Sequence, residues 1–337
     1  MTNFHDADYT TAIGEYTDEM RAEMSRLERV ITEPVDFSLP PNDATRQVDQ
    51  RIHAVWNIDL PEVASIRHLR IPGDQSLGAA SCEAVVYTPA KAGDGVIFFV
   101  HGGGWALCNL ATHERFMRVL CNDARKTLIG VHYRLAPENP YPAALRDVVS
   151  AFRTVLSSRD KLGLPDGPVV IAGDSAGGNL ALATMLHEIG ERRELPVGAL
   201  LFYGVFGRDF NTPTYKMYSE GYILTEYIMR QFWHWYAPLE ENHNDSLAVP
   251  ILATDEQLTA LPPLFLLAAE LDPLASDTYN LKNRLAALNR SDRIWVERGV
   301  IHGFLQMTAV LEAARRSTRM AAETANFFIS AESRRSA

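Results

Sequence analysis

Six consecutive residues constrain this chain more than any other feature: Gly173-Asp174-Ser175-Ala176-Gly177-Gly178. They follow the apolar run Pro168–Ala172 and open a helical pattern, which puts a serine on a sharp turn between a strand and a helix. The glycines let the backbone turn tightly, and the helix N-terminus presents its N–H groups beside the hydroxyl. A bare G-x-S-x-G arises by chance. In this setting it points to an activated serine.

Such a turn needs a sheet behind it, and the sequence supplies one. Strand character is expected at Cys82–Thr88, Gly95–Val100, Thr127–His132, Pro168–Gly173, Gly198–Tyr203, Pro263–Ala269 and Arg293–Glu297. Most are short apolar runs without alternation, as strands buried on both faces should be. Helical patterns fall between them at His113–Ala124, Pro142–Ser158, Ala176–Ile189 and Ala275–Asn289. This alternation predicts an α/β fold with a mostly parallel central sheet flanked by helices. Two segments stand apart from it. Thr17–Glu33 and Asp43–Trp56 read as helices ahead of any strong strand, the second with Val48, Ile52 and Val55 on one face. Between Tyr203 and Pro263 no clear strand occurs, although Phe232-Trp233-His234-Trp235-Tyr236 forms an aromatic cluster. Connections in α/β units usually run to about six residues, so this stretch is an insertion. Most of the cluster is expected to pack on the core.

Composition narrows the function classes. The 337 residues carry 32 Lys and Arg against 42 Asp and Glu, a net charge of −10. An acidic chain without a basic run disfavours nucleic acid and anionic membrane as partners. Cys82, Cys108 and Cys121 are scattered, with no C-x-x-C, so neither a disulfide framework nor a zinc ribbon is expected. The start lacks the pattern of a secretory signal, and no apolar run reaches membrane-spanning length. A cytoplasmic location is the expectation.

His101-Gly102-Gly103-Gly104-Trp105 follows the strand Gly95–Val100. Consecutive glycines let backbone N–H groups approach a reacting oxygen without obstruction. With the N–H of Ala176 they are candidates for an oxyanion hole. No Gly-Lys-Ser/Thr or G-x-G-x-x-G points to a phosphate loop instead. The serine needs a base and the base an orienting acid, in the chain order Ser, Asp or Glu, His. His302 follows the strand Arg293–Glu297 and is the candidate base. Asp272, just before Pro273, is the candidate acid, with Glu270 and Asp277 as rivals. His187 lies inside the helix after the serine, and His132 precedes the serine.

Together these residues resemble the hormone-sensitive-lipase-like group of α/β-hydrolases, the bacterial esterases with the HGGG signature. The likeness rests on His101–Trp105, Tyr133-Arg134-Leu135-Ala136-Pro137-Glu138, Gly173–Asn179, Asp272-Pro273-Leu274 and His302-Gly303-Phe304. Asn109–His113 and Tyr203–Gly207 are similar to segments of bacterial acetyl esterases. The resemblance implies an α/β-hydrolase fold with a helical cap. It implies that Ser175 is nucleophile, His302 base and Asp272 its orienter. It further implies an oxyanion hole formed by the loop Gly102, Gly103, Gly104 and by Ala176, with Gly103, Gly104 and Ala176 as donors and Gly102 shaping the loop. Trp105, Asp174, Tyr203 and Phe206 are expected in the substrate pocket, and the Tyr133–Glu138 stretch is expected to brace the HGGG loop. The expected division is 1–50 for N-terminal cap helices, 51–203 and 249–337 for the core, and 204–248 for a cap insertion. One departure is Ser276, where the group usually has a second acid; Asp277 is expected to take over its local hydrogen bonding.

The expected activity is a serine carboxylesterase acting on short-acyl esters of small alcohols, acetyl to roughly hexanoyl, without cofactor or metal. An amidase or deacetylase uses the same triad. A ligand-binding relative would lack the histidine. Monomer and homodimer are both left open.

Overall fold

The computed structural model describes residues 14–335. The first thirteen residues of the expected 1–50 cap segment, including the polar start, lie outside the described residues.

Eight strands form one sheet in the order β1-β2-β4-β3-β5-β6-β7-β8. They are β1 Ser65–Ile71, β2 Cys82–Thr88, β3 Gly93–Val100, β4 Lys126–His132, β5 Val169–Asp174, β6 Gly198–Phe202, β7 Leu264–Leu271 and β8 Arg293–Ile301. β2 runs antiparallel to both β1 and β4, and every pair from β4 onward is parallel. The helices are α1 Asp18–Val30, α2 Asp43–Ala54, α3 Glu114–Ala124, α4 Ala143–Ser157, α5 Arg159–Leu162, α6 Ala176–Gly190, α7 Pro213–Met217, α8 Glu226–Tyr236, α9 Asp255–Ala260, α10 Ala275–Ala287 and α11 Glu312–Arg335.

Burial on both faces explains the unalternating strand sequences. Along β3, Val96, Phe98 and Val100 face a core shared with α4 and α6, while Ile97 and Phe99 face one shared with α3 and α11. All seven expected strands are present. β8 continues past Glu297 over Gly299, whose φ of 66° admits the turn in the chain, and ends at Ile301. That extension carries His302 to the rim of the sheet.

Among the elements that escape the pattern reading, β1 and α11 do so for physical reasons. β1 interleaves charged and apolar residues in Ser-Ile-Arg-His-Leu-Arg-Ile and is half exposed, as a guarded edge strand is. α11 buries mainly small residues, Ala314, Ala321 and Ala325, so it lacks a stripe of large apolar side chains.

Both set-apart segments are helical. α2 runs to Ala54, so the expected boundary after residue 50 falls inside a helix. The 204–248 segment holds α7 and α8 and no strand. Its roots are tied to the core by two side chains. Asn179 donates from Nδ2 to the carbonyls of Val205 at 2.9 Å and Ala248 at 3.0 Å. Asp277 accepts from the N–H groups of Phe206 and Gly207 at 2.9 and 2.8 Å.

Candidate active site

Ser175 sits between β5 and α6 with φ 54° and ψ −122°, a conformation that ordinary residues avoid. The turn is held because β5 and α6 pack without side chains between them. A Cβ on Gly177 would collide with the carbonyls of Val100 and His101, and one on Gly173 with the backbone of Gly177. The N–H of Ser175 donates to the Phe202 carbonyl at 2.9 Å, which fixes the tip against β6.

The rims of β7 and β8 bring the other two groups to it. His302 Nε2 lies 2.9 Å from Ser175 Oγ, and His302 Nδ1 lies 2.7 Å from Asp272 Oδ2. Asp272 is fully buried, and its other oxygen accepts from the Leu274 N–H at 2.8 Å. The carboxylate therefore holds one orientation, facing the ring nitrogen away from the serine. The rivals face elsewhere. Glu270 accepts from the Gly299 N–H at 2.7 Å and pairs with Arg298. Asp277 anchors the insertion, and burial pushes its carboxyl up to about 7. Ser276 exchanges hydrogen bonds with Thr214, Oγ1 to Oγ at 2.8 Å. It thus works on the start of α7, a separate task from that of Asp277.

The HGGG loop crosses in front of the serine. Gly103 and Gly104 have φ of 110° and 57°, and a Cβ on Gly104 would enter the Phe232 ring. Among the described residues the N–H groups of Gly103, Gly104 and Ala176 have no protein acceptor. Gly102 is not available as a donor. Its N–H donates to Asp174 Oδ1 at 2.8 Å and its carbonyl meets His101 Nδ1 at 2.7 Å, so it has no donor left for a substrate oxygen. Its part is to shape the loop.

Several partners steady that loop. Burial, reinforced by His132 and His113, holds the His101 pKa well below the usual histidine range, so its ring is neutral. His101 Nε2 lies 2.9 Å from His132 Nδ1. Tyr133 donates to the His101 carbonyl at 2.9 Å and stacks on its ring at 4.5 Å. The Ala136 N–H reaches the Trp105 carbonyl at 2.9 Å. Arg46 of α2 donates to the carbonyls of Ala106 and Ala136 at 3.0 and 3.1 Å while pairing with Glu138.

Ser175 and His302 open onto a cavity of about 530 Å³. Its walls come from α1 and α2 on one side and from the insertion on the other. Met24, Leu27, Ile31, Ile52, Leu224, Ile228 and Phe232 make it mostly apolar. Asp174 lines it, as expected. Trp105, Tyr203 and Phe206 do not. Trp105 is fully buried, stacked at 4.2 Å on Tyr236 and packed on Trp233. Tyr203 stands behind the His302 imidazole, ring edge to ring at 4.9 Å. Phe206 is buried at the insertion's root, where Asp277 holds its N–H. Within the aromatic cluster only Phe232 reaches the cavity; Trp233, Trp235 and Tyr236 are buried around it.

Residues that pattern reading passes over also line this space: Asp49, His53, Trp56, Cys108 and Gln306. The signal for two of them was present. Arg46, Asp49 and His53 recur at helical spacing on α2, a polar stripe turned toward the HGGG loop.

A serine hydroxyl, an imidazole and a carboxylate in one hydrogen-bonded line, beside free N–H donors, can carry out nucleophilic acyl transfer. Comparison with known proteins agrees. A family model described as alpha/beta hydrolase fold matches residues 97–306. The carboxylesterase NlhH of Mycobacterium tuberculosis is 33% identical over 238 residues, 69% of this chain and 74% of its own. A thermostable esterase from Pseudomonas putida superposes with a TM-score of 0.86 at 26% identity, over 95% of this chain and 99% of its own. An ester hydrolase from the metagenome of Lake Arreo superposes with a TM-score of 0.84 at 28% identity, over 92% of this chain and 98% of its own.

Proposed function

This chain belongs to the α/β-hydrolase family, in its hormone-sensitive-lipase-like branch, and from that premise we propose that it is a serine carboxylesterase acting on short-acyl esters of small alcohols. The observation that carries the reading is the line Ser175 Oγ, His302 Nε2, His302 Nδ1, Asp272 Oδ2, with steps of 2.9 and 2.7 Å, opening on an apolar cavity.

In this mechanism Ser175 Oγ attacks the ester carbonyl and His302 Nε2 takes its proton. Asp272 keeps the other ring proton on Nδ1 and stabilises the imidazolium. The carbonyl oxygen becomes an oxyanion held by the N–H groups of Gly103, Gly104 and Ala176, each worth about 3 kcal/mol. His302 returns the proton to the departing alcohol. Water, activated by the same imidazole, then cleaves the acyl-enzyme.

The cavity volume lies in the range that holds a small molecule. The likeness of Asn109–His113 and Tyr203–Gly207 to segments of bacterial acetyl esterases supports acyl groups from acetyl to roughly hexanoyl. We read α1, α2 and the 204–248 segment together as the cap over the catalytic core. No helix among the described residues is long and apolar enough to cross a membrane. The three unpaired, buried cysteines support a reducing, cytoplasmic setting.

A p-nitrophenyl ester series from acetyl to palmitoyl tests the reading. The expected optimum is at short chains, with turnover abolished in Ser175→Ala. Best activity on the longest chains contradicts the acyl range. Matched ester and anilide substrates should show the ester strongly preferred; the reverse would make the protein an amidase.

A further inference from the structure

We propose that Asp49, His53 and Cys108 form a zinc-type divalent-metal site inside the substrate cavity, through which a thiophilic ion inhibits the enzyme. One ligand atom from each of the three lies within 4.8 Å of the other two. All three line the cavity that holds Ser175. Sulfur, imidazole nitrogen and a single carboxylate oxygen form a donor set suited to Zn²⁺ or Cd²⁺ and poorly suited to Mg²⁺ or Ca²⁺.

The surrounding hydrogen bonds orient the three side chains toward one another. His53 Nδ1 lies 2.9 Å from the Asp49 carbonyl, so its N–H is engaged there and Nε2 is turned to Cys108 Sγ at 3.7 Å. Tetrahedral zinc with arms of about 2.0 Å to nitrogen and about 2.3 Å to sulfur has an N-to-S edge of about 3.5 Å. Asp49 Oδ2 accepts from the Cys108 N–H at 3.0 Å and Oδ1 lies 3.3 Å from His53 Nδ1, so the carboxylate gives up one of these contacts when it ligates the ion. A backbone carbonyl behind the histidine and an N–H behind the carboxylate are the supports that metal ligands commonly have. Three protein ligands leave a fourth position, and here it faces the cavity.

A bound ion takes the place of the Cys108 thiol proton, which leaves to water.

Inhibition follows from position. The ion occupies space needed by substrate. It also sits on the chain that follows the HGGG loop, where Cys108 approaches Gly103 too closely for a Cβ to fit between them.

The test is Cd²⁺ titration of the intact, chelator-treated protein, read without substrate by the ultraviolet thiolate-to-cadmium charge-transfer band and by calorimetry. One ion per chain with a thiolate band is expected. Cys108→Ser should abolish the band although Cys82 and Cys121 remain, and His53→Ala should weaken binding at least about tenfold. In parallel, Zn²⁺ should inhibit ester hydrolysis, and His53→Ala should need at least about tenfold more zinc for the same fractional inhibition. Absence of the band in the unmodified protein, or a band that survives in Cys108→Ser, overturns the proposal. So does unchanged zinc sensitivity in His53→Ala. The binding readouts stand whether or not the protein hydrolyses esters.

Discussion

At Ser175 the backbone holds φ 54° and ψ −122°, a strain of about 1–3 kcal/mol that the surrounding contacts must sustain. The same economy of roles separates the three acids near His302. Only Asp272 touches the imidazole, so Asp272→Asn should lower kcat by about 10⁴ by favouring the wrong tautomer, measured on p-nitrophenyl butyrate. Glu270→Gln should cost far less. Asp277 calls for a different measurement. Burial raises its folded pKa to about 7, above an unfolded value of about 3.9. Its neutral form is therefore the stabilising one. That contribution is full below about pH 4 and is lost as pH rises toward about 7. In urea unfolding, Asp277→Asn should gain stability relative to the parent across this window as pH rises; a constant difference would contradict the assignment. The choice among these acids was only partly legible in sequence. Order and the following proline favoured Asp272, but the tasks of Glu270 and Asp277 depend on backbone N–H groups as many as 71 positions away.

Among elements, α2 best illustrates what pattern reading misses. Its apolar residues Val48, Ile52 and Val55 suggested the packing face, yet its buried residue is Asp49. Arg46 and Asp49 hold a carbonyl and an N–H on the HGGG loop, at Ala106 and Cys108. Helix α2 thus holds the HGGG loop, whose Gly103 and Gly104 N–H groups are the proposed oxyanion donors. Arg46→Ala should lower kcat by about 10-fold to 10²-fold while shifting Tm by only a few degrees, since a small misplacement of donors is costly to catalysis. Arg46→Lys should not restore it, because one ammonium cannot reach the Ala106 and Ala136 carbonyls and Glu138 together. Equal, near-parent kcat in both variants would contradict the coupling. The central strands and α6 were legible because burial on both faces writes itself as apolar runs. β1 and α11 were not, the one diluted by edge charges and the other built on alanine.

For the whole molecule, the serine motif, the HGGG loop and the late histidine were readable from spacing, and they make up the proposed reacting centre. The lining of the cavity was less readable. It is walled by segments far apart in sequence, α1, α2 and the insertion, and the expected pocket residues Trp105, Tyr203 and Phe206 are buried behind it. Phe232 is the point where the insertion meets Gly104, so its size limits the cavity above the oxyanion loop. Phe232→Ala should raise kcat/KM for octanoyl relative to butyryl esters, at a stability cost of about 3–5 kcal/mol. An unchanged ratio would place the acyl chain elsewhere. The most direct test of the chemistry is peptide-mapped mass spectrometry after reaction with a fluorophosphonate and after acid quench during turnover of p-nitrophenyl butyrate. One adduct is predicted, phosphonyl or butyryl, on the peptide carrying Ser175 and absent from Ser175→Ala. An adduct on another residue, or undiminished ester turnover by Ser175→Ala, would contradict a serine acyl-enzyme at this site.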